Sequence, residues 1–287
     1  MRERYSPAFV EDHLLPMAAA IWSTPVEGMR DYPAAAFIRF AVNHGLMSVS
    51  SRPQWRTVTG GSRAYIARLV AAMSGVIRRA TPVVGLDREG GTIVVADHRG
   101  NRTAFDQVVV AIQADQALRL LRQPTLDESR LLGAFRYSRN HAVLHGDVAW
   151  MPRRRRAWAS WNYLAQRAGA GSSERDLCVT YWMNRLQSLD GRVPLFVTLN
   201  PWAPPQAPVY GTFTYDHPSY DGRAIAAQRQ LGQIQGRDRI WYCGSYFGAG
   251  FHEDALVSGL AAAEALGRVQ RPWSIAPTAV DHWAVPA

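Results

Sequence analysis

The 287-residue chain contains no lysine, and all 32 of its basic residues are arginine. That absence removes a Schiff-base lysine, a phosphate-loop lysine and a lysine general base from its chemistry. Cysteine is nearly as scarce. Cys178 and Cys243 stand far apart without CxxC spacing, which argues against a structural zinc site and a disulfide framework. They read as small buried hydrophobes in a reducing compartment. No apolar run approaches the roughly 20 residues of a membrane span, and the opening MRERYSPAFVEDHLL lacks the apolar centre of a secretion signal. The expected location is cytoplasmic. No internal repeat is visible.

What is present fits an ordinary globular protein: 47% hydrophobic and 19% charged residues, with ten Trp, eleven Tyr and nine Phe for a core or an apolar pocket. The formal charge of +9 favours anionic partners such as phospholipid headgroups, nucleic acid or phosphate cofactors. An all-arginine composition that reflects GC-rich coding is the plain alternative.

Along the chain, Ser6-Pro7 predicts a helix start, with the helix running to Trp22 and stopping near Ser23-Thr24-Pro25. A second helix is expected over Pro33–His44, ended by Gly45. Gly60-Gly61-Ser62 opens a third, in which Ile66, Leu69, Val70 and Met73 recur at helical spacing. The strongest β signal follows: strands joined at Glu89-Gly90-Gly91, a turn at Arg99-Gly100-Asn101, and a non-alternating strand Gln107–Ile112, expected to be buried on both faces. Helices are expected at Ala114–Leu121, Leu126–Phe135 and Ala224–Gln230. Strands are expected near Ala142–His145, Cys178–Trp182, Leu195–Leu199 and Ile240–Cys243. Pro201–Pro208 reads as a loop and Asp254–Leu266 as the closing helix.

The closing stretch IWYCGSYFGAGFHEDALVSGLAAAEALG has a strand, a glycine-bearing loop and a helix start, an arrangement that turns backbone N–H groups toward an anion or a polar ring edge. Gly244, Gly248 and Gly250 leave room for a ligand near the backbone. Glu253 or Asp254 would cap the first turn. Gly259 and Ala261–Ala263 would let the helix lie close to the sheet. A primary dinucleotide fingerprint is rejected, because too little chain remains for a βαβ unit.

Two blocks of sequence, far apart and in the right order, resemble the flavin-containing amine oxidoreductases, a family that includes desaturases. The first is Gly60-Gly61-Ser62, then Pro82-Val83, then Ala111-Ile112. The second is Cys243-Gly244 followed by Gly250-Phe251-His252-Glu253-Asp254-Ala255-Leu256 and Ser258-Gly259. The stretches HLLPMAAAIWSTP, RPQWRTVTGGS, GAFRYSRNHAVLH and MPRRRRAWASWNY are similar to a bacterial subgroup of predicted NAD/FAD-binding oxidoreductases, some of whose members modify lipid acyl chains.

The resemblance implies an α/β, mixed α+β fold of the flavin amine oxidase kind. FAD-domain segments would fall at 53–113 and 236–270, with a substrate domain of mixed sheet plus helices interleaved at 1–52 and 114–235 and a tail at 271–287. It implies FAD as cofactor, held through Gly60, Gly61, Val83, Gly244, Ser245, His252, Glu253, Asp254, Ala255 and Leu256. Val83 would lie at the adenine end and the closing segment over the flavin ring. Phe251 and Trp182 would face a small-molecule or lipid-like substrate. No residue is assigned as the catalytic base.

The family's N-terminal GxGxxG unit is missing here, so position 1 would already fall in the substrate domain. The parallel sheet would then leave Gln107–Ile112 and Ile240–Cys243 without neighbours, at a cost of about 1–3 kcal/mol for each unpaired buried group. Three outcomes are open: a complementary N-terminal FAD-binding fragment supplies the missing strands as a partner, the fold rearranges, or FAD binds poorly. The missing lysine disfavours amine oxidation, in which a lysine often holds a water at the flavin, and leaves hydride removal from an apolar substrate as the better fit. A non-catalytic subunit that binds an anionic surface is the alternative.

Single features have plainer readings beside functional ones. Arg153, Arg154, Arg155 and Arg156 form either a solvated loop or a headgroup-facing patch at the inner membrane face. Nucleic acid is disfavoured because no nucleic-acid fold signature accompanies them. His252-Glu253-Asp254 is not HExxH, and His141 with His145 reads as structural, so no metal is expected. Trp182 and Trp161-Asn162-Tyr163 are core aromatics or the lining of a substrate site.

Overall fold

The computed structural model describes residues 5–22, 26–30, 32–48, 50, 54, 56–167, 175–206 and 208–273. Helices α1 (Pro7–Phe9), α2 (Leu15–Trp22), α3 (Val26–Arg30), α4 (Ala34–Asn43) and α5 (Ser62–Ala72) come first. Strands β1 (Val83–Glu89), β2 (Thr92–Asp97), β3 (Arg102–Phe105) and β4 (Val108–Val110) follow, then α6 (Ala114–Leu120) and α7 (Leu126–Leu132). The rest is β5 (Arg136–His145), β6 (Trp161–Arg167), β7 (Arg175–Trp182), α8 (Met183–Leu186), β8 (Phe196–Leu199), β9 (Val209–Ser219), α9 (Gly222–Gln228), β10 (Ile240–Tyr242) and α10 (His252–Gly267). Ser6 caps α1 as expected, its Oγ accepting from the Phe9 N–H at 3.2 Å with Pro7 next in line. The expected stop at Ser23-Thr24-Pro25 lies outside the described residues, as does the tail from 274 on.

The chain divides into two units. The first comprises Met1–Arg30, Gly45–Gly75 and Tyr137–His217. Its centre is a five-stranded sheet in the order β6-β7-β8-β5-β9, and the pairings β6–β7, β7–β8 and β8–β5 are antiparallel. Ala142, Val143, Cys178, Val179, Phe196 and Leu199 are buried in it. Burial pushes the Cys178 thiol up to about 12, so it packs as a hydrophobe.

A polar chain runs inside this apolar layer. The Asp147 N–H donates to His145 Nδ1 at 3.1 Å, which places the ring proton on Nε2. That Nε2–H donates to Thr198 Oγ1 at 2.8 Å, and the hydroxyls of Thr198 and Thr180 lie 2.8 Å apart. His145 is fully buried whereas His141 is exposed, so the two do not act as a pair. No cluster of His, Cys, Asp and Glu among the described residues could hold a metal.

Helix α5 forms at its expected start, but its apolar stripe is not core. Ile66, Leu69, Val70 and Met73 are all exposed, and the helix buries no residue.

The second unit comprises Asp31–His44, Val76–Arg136 and Pro218–Ala287. Strands β1, β2 and β3 form an antiparallel meander. Glu89 pairs with Thr92 across Gly90 and Gly91, whose φ values of 55° and 80° suit a tight two-residue hairpin. The next turn is held by Asp97, whose Oδ1 accepts from the Arg99 and Asn101 N–H groups.

Two expectations about the parallel strands are corrected. Gln107–Ile112 and Ile240–Cys243 are not left without neighbours. β4 pairs in parallel with β10, Val108–Val110 against Ile240–Tyr242, across 132 residues of sequence. Nor is the 107–112 strand buried on both faces. Val110 is buried, but Val109 is 41% exposed and Ile112 36%, because a two-stranded sheet is covered on only one side of β4.

The frame of this unit closes on one buried carboxylate. Glu128, at the third position of α7, is 2% exposed. Its Oε1 accepts from Tyr242 Oη on β10 and from Arg88 Nη2 on β1, both at 2.6 Å. Its Oε2 accepts from the Thr125 N–H at 2.8 Å, while the Thr125 hydroxyl returns a bond from the Glu128 N–H. That reciprocal pair is a capping box. Burial acts to raise the Glu128 pKa, but the bonds from Tyr242 and Thr125 and the Arg88 charge outweigh it and hold the group below its ordinary value.

Candidate functional site

The segment from Cys243 to Leu256 is built against the second unit from behind. Ser258 on α10 accepts the Gly244 N–H at 3.0 Å and lies 3.1 Å from the Gly244 carbonyl, so the strand end is tied to the closing helix. Gln228 of α9, 3% exposed, donates its Nε2 to the carbonyls of Tyr246 at 2.9 Å and Gly248 at 2.6 Å. Tyr220 Oη donates to the Ser245 carbonyl at 3.3 Å. These bonds hold a loop that has no sheet partners of its own.

The next three N–H groups turn inward. Phe251 donates to Asp254 Oδ2 at 2.8 Å, and Ala249 and Gly250 donate to the same carboxylate. Asp254 thus caps the helix start from its third position, as expected from its place in the sequence. Burial raises its pKa, and the three N–H bonds oppose that rise. Burial, with the Asp254 charge behind it, also raises the Tyr32 phenol.

The fold itself closely approaches each glycine of this turn. A side chain at Gly248 would strike the Asp254 carboxylate. One at Gly250 would meet Tyr220 Oη at 2.9 Å, and one at Gly244 would meet the Tyr246 ring at 2.8 Å. Gly259 faces open space, and Ala262, 1% exposed, makes the close approach of α10 instead.

Beyond Asp254's reach, the first turn of the 16-residue α10 is open. The side chains of His252 and Glu253 are exposed, and their N–H groups find no backbone acceptor among the described residues. Phe251, just before it, stacks on Phe40 of α4 with ring centroids 5.1 Å apart and 20° between planes. Phe40 in turn stacks on His44 at 3.9 Å. Three rings therefore flank the helix start, and Phe40 was not legible as part of it because α4 reads as an ordinary helix. Gln228 likewise carries no sequence signal for its role.

The other expected site residues are distributed between the units. Gly244, Ser245, Phe251–Leu256 and Val83, the 39%-exposed first residue of β1, belong to the second unit. Gly60, Gly61 and Trp182 belong to the first. Gly61 caps α5 at φ 72°, a backbone that favours glycine, with nothing within 4 Å of where a side chain would begin. The Trp182 ring stands edge-on to Trp158 at 5.3 Å, with the Arg155 guanidinium 4.8 Å from it.

This donor set fits one end of a flavin. Open first-turn N–H groups at a long helix suit the electron-rich edge of the ring, and the exposed Val83 and Val84 leave β1 accessible at its start. A glycine-rich βα turn for a pyrophosphate is not among the described residues.

Comparison with known proteins gives the same direction. The family model of flavin-containing amine oxidoreductases matches residues 33–143, less than half of the chain and short of the 244–256 segment. No curated protein matches the sequence. Among solved structures, a protoporphyrinogen oxidase-like protein from Exiguobacterium sp. 255-15 superimposes with a TM-score of 0.59 at 16% identity, over 93% of this chain and 65% of that one. A reduced UDP-galactopyranose mutase does so with a TM-score of 0.56 at 10% identity, over 92% of this chain and 66% of that one. The chain thus spans about two thirds of the length of these solved relatives. The family match covers part of the chain, the shared fold is the α/β fold of FAD-binding amine oxidase-like proteins, and FAD is the cofactor that this resemblance implies.

Proposed function

We propose that this chain carries the ring-covering and substrate-side parts of an FAD-dependent oxidoreductase that removes a hydride from an apolar substrate of the lipid acyl kind. Bound FAD supplies the hydride acceptor. The chain's own residues bind and shield it. The N–H groups of His252 and Glu253, at the positive end of α10, oppose negative charge gathering on the ring. Phe251, backed by Phe40, covers the helix start with apolar surface and excludes water there. With no lysine in the chain, a lysine-held water at the ring cannot come from these residues.

The observation that carries this reading is the contrast along residues 244–256. The carbonyls of Gly244, Ser245, Tyr246 and Gly248 are bonded, whereas the His252 and Glu253 N–H groups in the first turn of α10 meet no backbone acceptor among the described residues.

Purified full-length protein titrated with FAD, followed by flavin fluorescence, tests it. Saturable binding is expected, with His252→Pro weakening it about tenfold. Proline is tolerated at the first helical position, and Phe251 before it is already extended at φ −105°, ψ 170°, so this variant deletes one N–H and keeps the helix. Binding that is saturable but indifferent to His252→Pro refutes the assigned donors.

A second reading is favoured by the sheet itself. β4 has β10 on one side and no strand on the other among the described residues. In this reading the chain is a non-catalytic subunit, and a complementary FAD-binding chain adds its strand to the β4 edge and brings the pyrophosphate cradle. No FAD binding by the chain alone supports it.

A further inference from the structure

The longest run of like charge in the sequence, Arg153–Arg156, belongs to the first unit. Between Val148 and Arg167 there are five arginines and no acidic residue. Arg153, Arg154, Arg155 and Arg156 are all exposed, on a loop tied by its own hydrogen bonds. Trp158 Nε1 donates to the Pro152 carbonyl at 2.7 Å, which closes the loop on itself. Arg155–Ala157 forms a 3-10 turn, with the Ala157 N–H on the Arg154 carbonyl and the Trp158 N–H on the Arg155 carbonyl. Arg155 folds back, its guanidinium 3.6 Å from the Trp158 ring centroid and 4.8 Å from that of Trp182. Arg185 reaches the same place, its Nη1 3.5 Å from the Trp158 carbonyl.

Arg155 is therefore the anchor of the turn. Arg153, Arg154 and Arg156 are what the turn displays, and none of them makes an ion pair among the described residues. Three unneutralised guanidinium groups on a fixed turn is an arrangement of high self-repulsion. It is relieved when an anionic surface faces it. Trp161, 42% exposed at the start of β6 and three residues past Trp158, adds an amphipathic ring of the kind that settles at headgroup level.

The same geometry argues against nucleic acid. Binding of single strands uses aromatic faces open to bases beside the arginines. Here the Trp158 face is covered by Arg155, and Trp158 packs its ring edge-on against Trp182 and Phe196.

We infer that the Arg153–Arg156 turn is a docking surface for an anionic lipid bilayer, engaged through Arg153, Arg154 and Arg156 with Arg155 as its internal brace. No helix among the described residues is long and apolar enough to cross a membrane, so the contact is a peripheral one. It is independent of whether the chain binds flavin.

Sedimentation of the full-length protein with lipid vesicles tests this. One set is pure phosphatidylcholine, and in the other about a third of the lipid is phosphatidylglycerol, both near 0.1 M salt. Binding to the anionic vesicles alone is expected, falling as salt rises. The triple variant Arg153→Gln, Arg154→Gln, Arg156→Gln should lose on the order of 100-fold in partitioning. A charge-matched triple, Arg63→Gln, Arg68→Gln, Arg79→Gln, should retain it, because those exposed arginines lie elsewhere. Circular dichroism of both variants checks that the fold is kept. Equal loss in the two triples would assign the effect to net charge and overturn the proposal. So would absence of binding to anionic vesicles, or binding of a short oligonucleotide by a protein that ignores them.

Discussion

Replacing Glu128 by Gln tests whether one buried carboxylate holds the second unit together. The charge at position 128 receives three hydrogen bonds, from Tyr242, Arg88 and the Thr125 N–H. A hydrogen bond to a charged group contributes about 1.5–3 kcal/mol, against about 0.5–1.5 for a neutral one, so demoting two of them costs roughly 2 kcal/mol. The third is lost, since the amide NH2 of Gln must face either the Thr125 N–H or the Arg88 guanidinium, and that adds about 1 kcal/mol. Glu128→Gln should therefore destabilise the protein by about 3 kcal/mol, a fall of roughly 1 M in the urea midpoint.

The pH dependence provides a second and sharper test. The folded pKa of Glu128 lies below its ordinary 4.5. Its contribution is therefore complete above 4.5 and disappears as the pH falls through the lowered folded value. The gap between wild type and Glu128→Gln, followed by tryptophan fluorescence in urea, should be full at neutral pH and close in acid. A gap below about 0.5 kcal/mol at neutral pH, or one that does not narrow in acid, refutes the assignment.

Three further outcomes follow from the bonds described. Gly248→Ala should displace the Asp254 carboxylate and expose the N–H groups it gathers, lowering stability by about 2–3 kcal/mol in thermal or urea unfolding. An unchanged midpoint would show that the turn has room to spare. Gln228→Leu should leave the Tyr246 and Gly248 carbonyls without a donor, costing about 2 kcal/mol and speeding amide exchange across 244–251. Burial lowers the pKa of His145 and of His217 below 6.5, the nearby Asp147 and Asp216 charges notwithstanding. Stability should then be full above pH 6.5 and decline as the pH falls toward the lowered folded values, and the double variant His145→Gln, His217→Gln should flatten that decline in urea titrations.

How legible the protein was in its sequence varies by element, and for physical reasons. Features set by neighbouring residues were readable. The Ser6-Pro7 helix start, the Glu89-Gly90-Gly91 hairpin and Asp254 at the head of α10 all depend on dihedral freedom and bonds within four residues. β9 was missed because its residues are exposed or half-exposed and it carries Pro218, as an edge strand can. The spacing in α5 indicated a helix correctly, but spacing alone cannot say whether an apolar stripe finds anything to cover it.

The sequence by itself determined the family resemblance of this protein. Its paired glycines and the order of its two family-like blocks are one-dimensional facts, and the resemblance follows from them. Tertiary structure decided which groups remain free to act. β4 finds β10 across the chain, Asp254 takes the N–H groups of 249–251, and Arg155 folds onto two tryptophans while its three neighbours do not. Each of those outcomes is a competition between partners distant in sequence or between neighbours of identical type, and only packing in three dimensions ranks them.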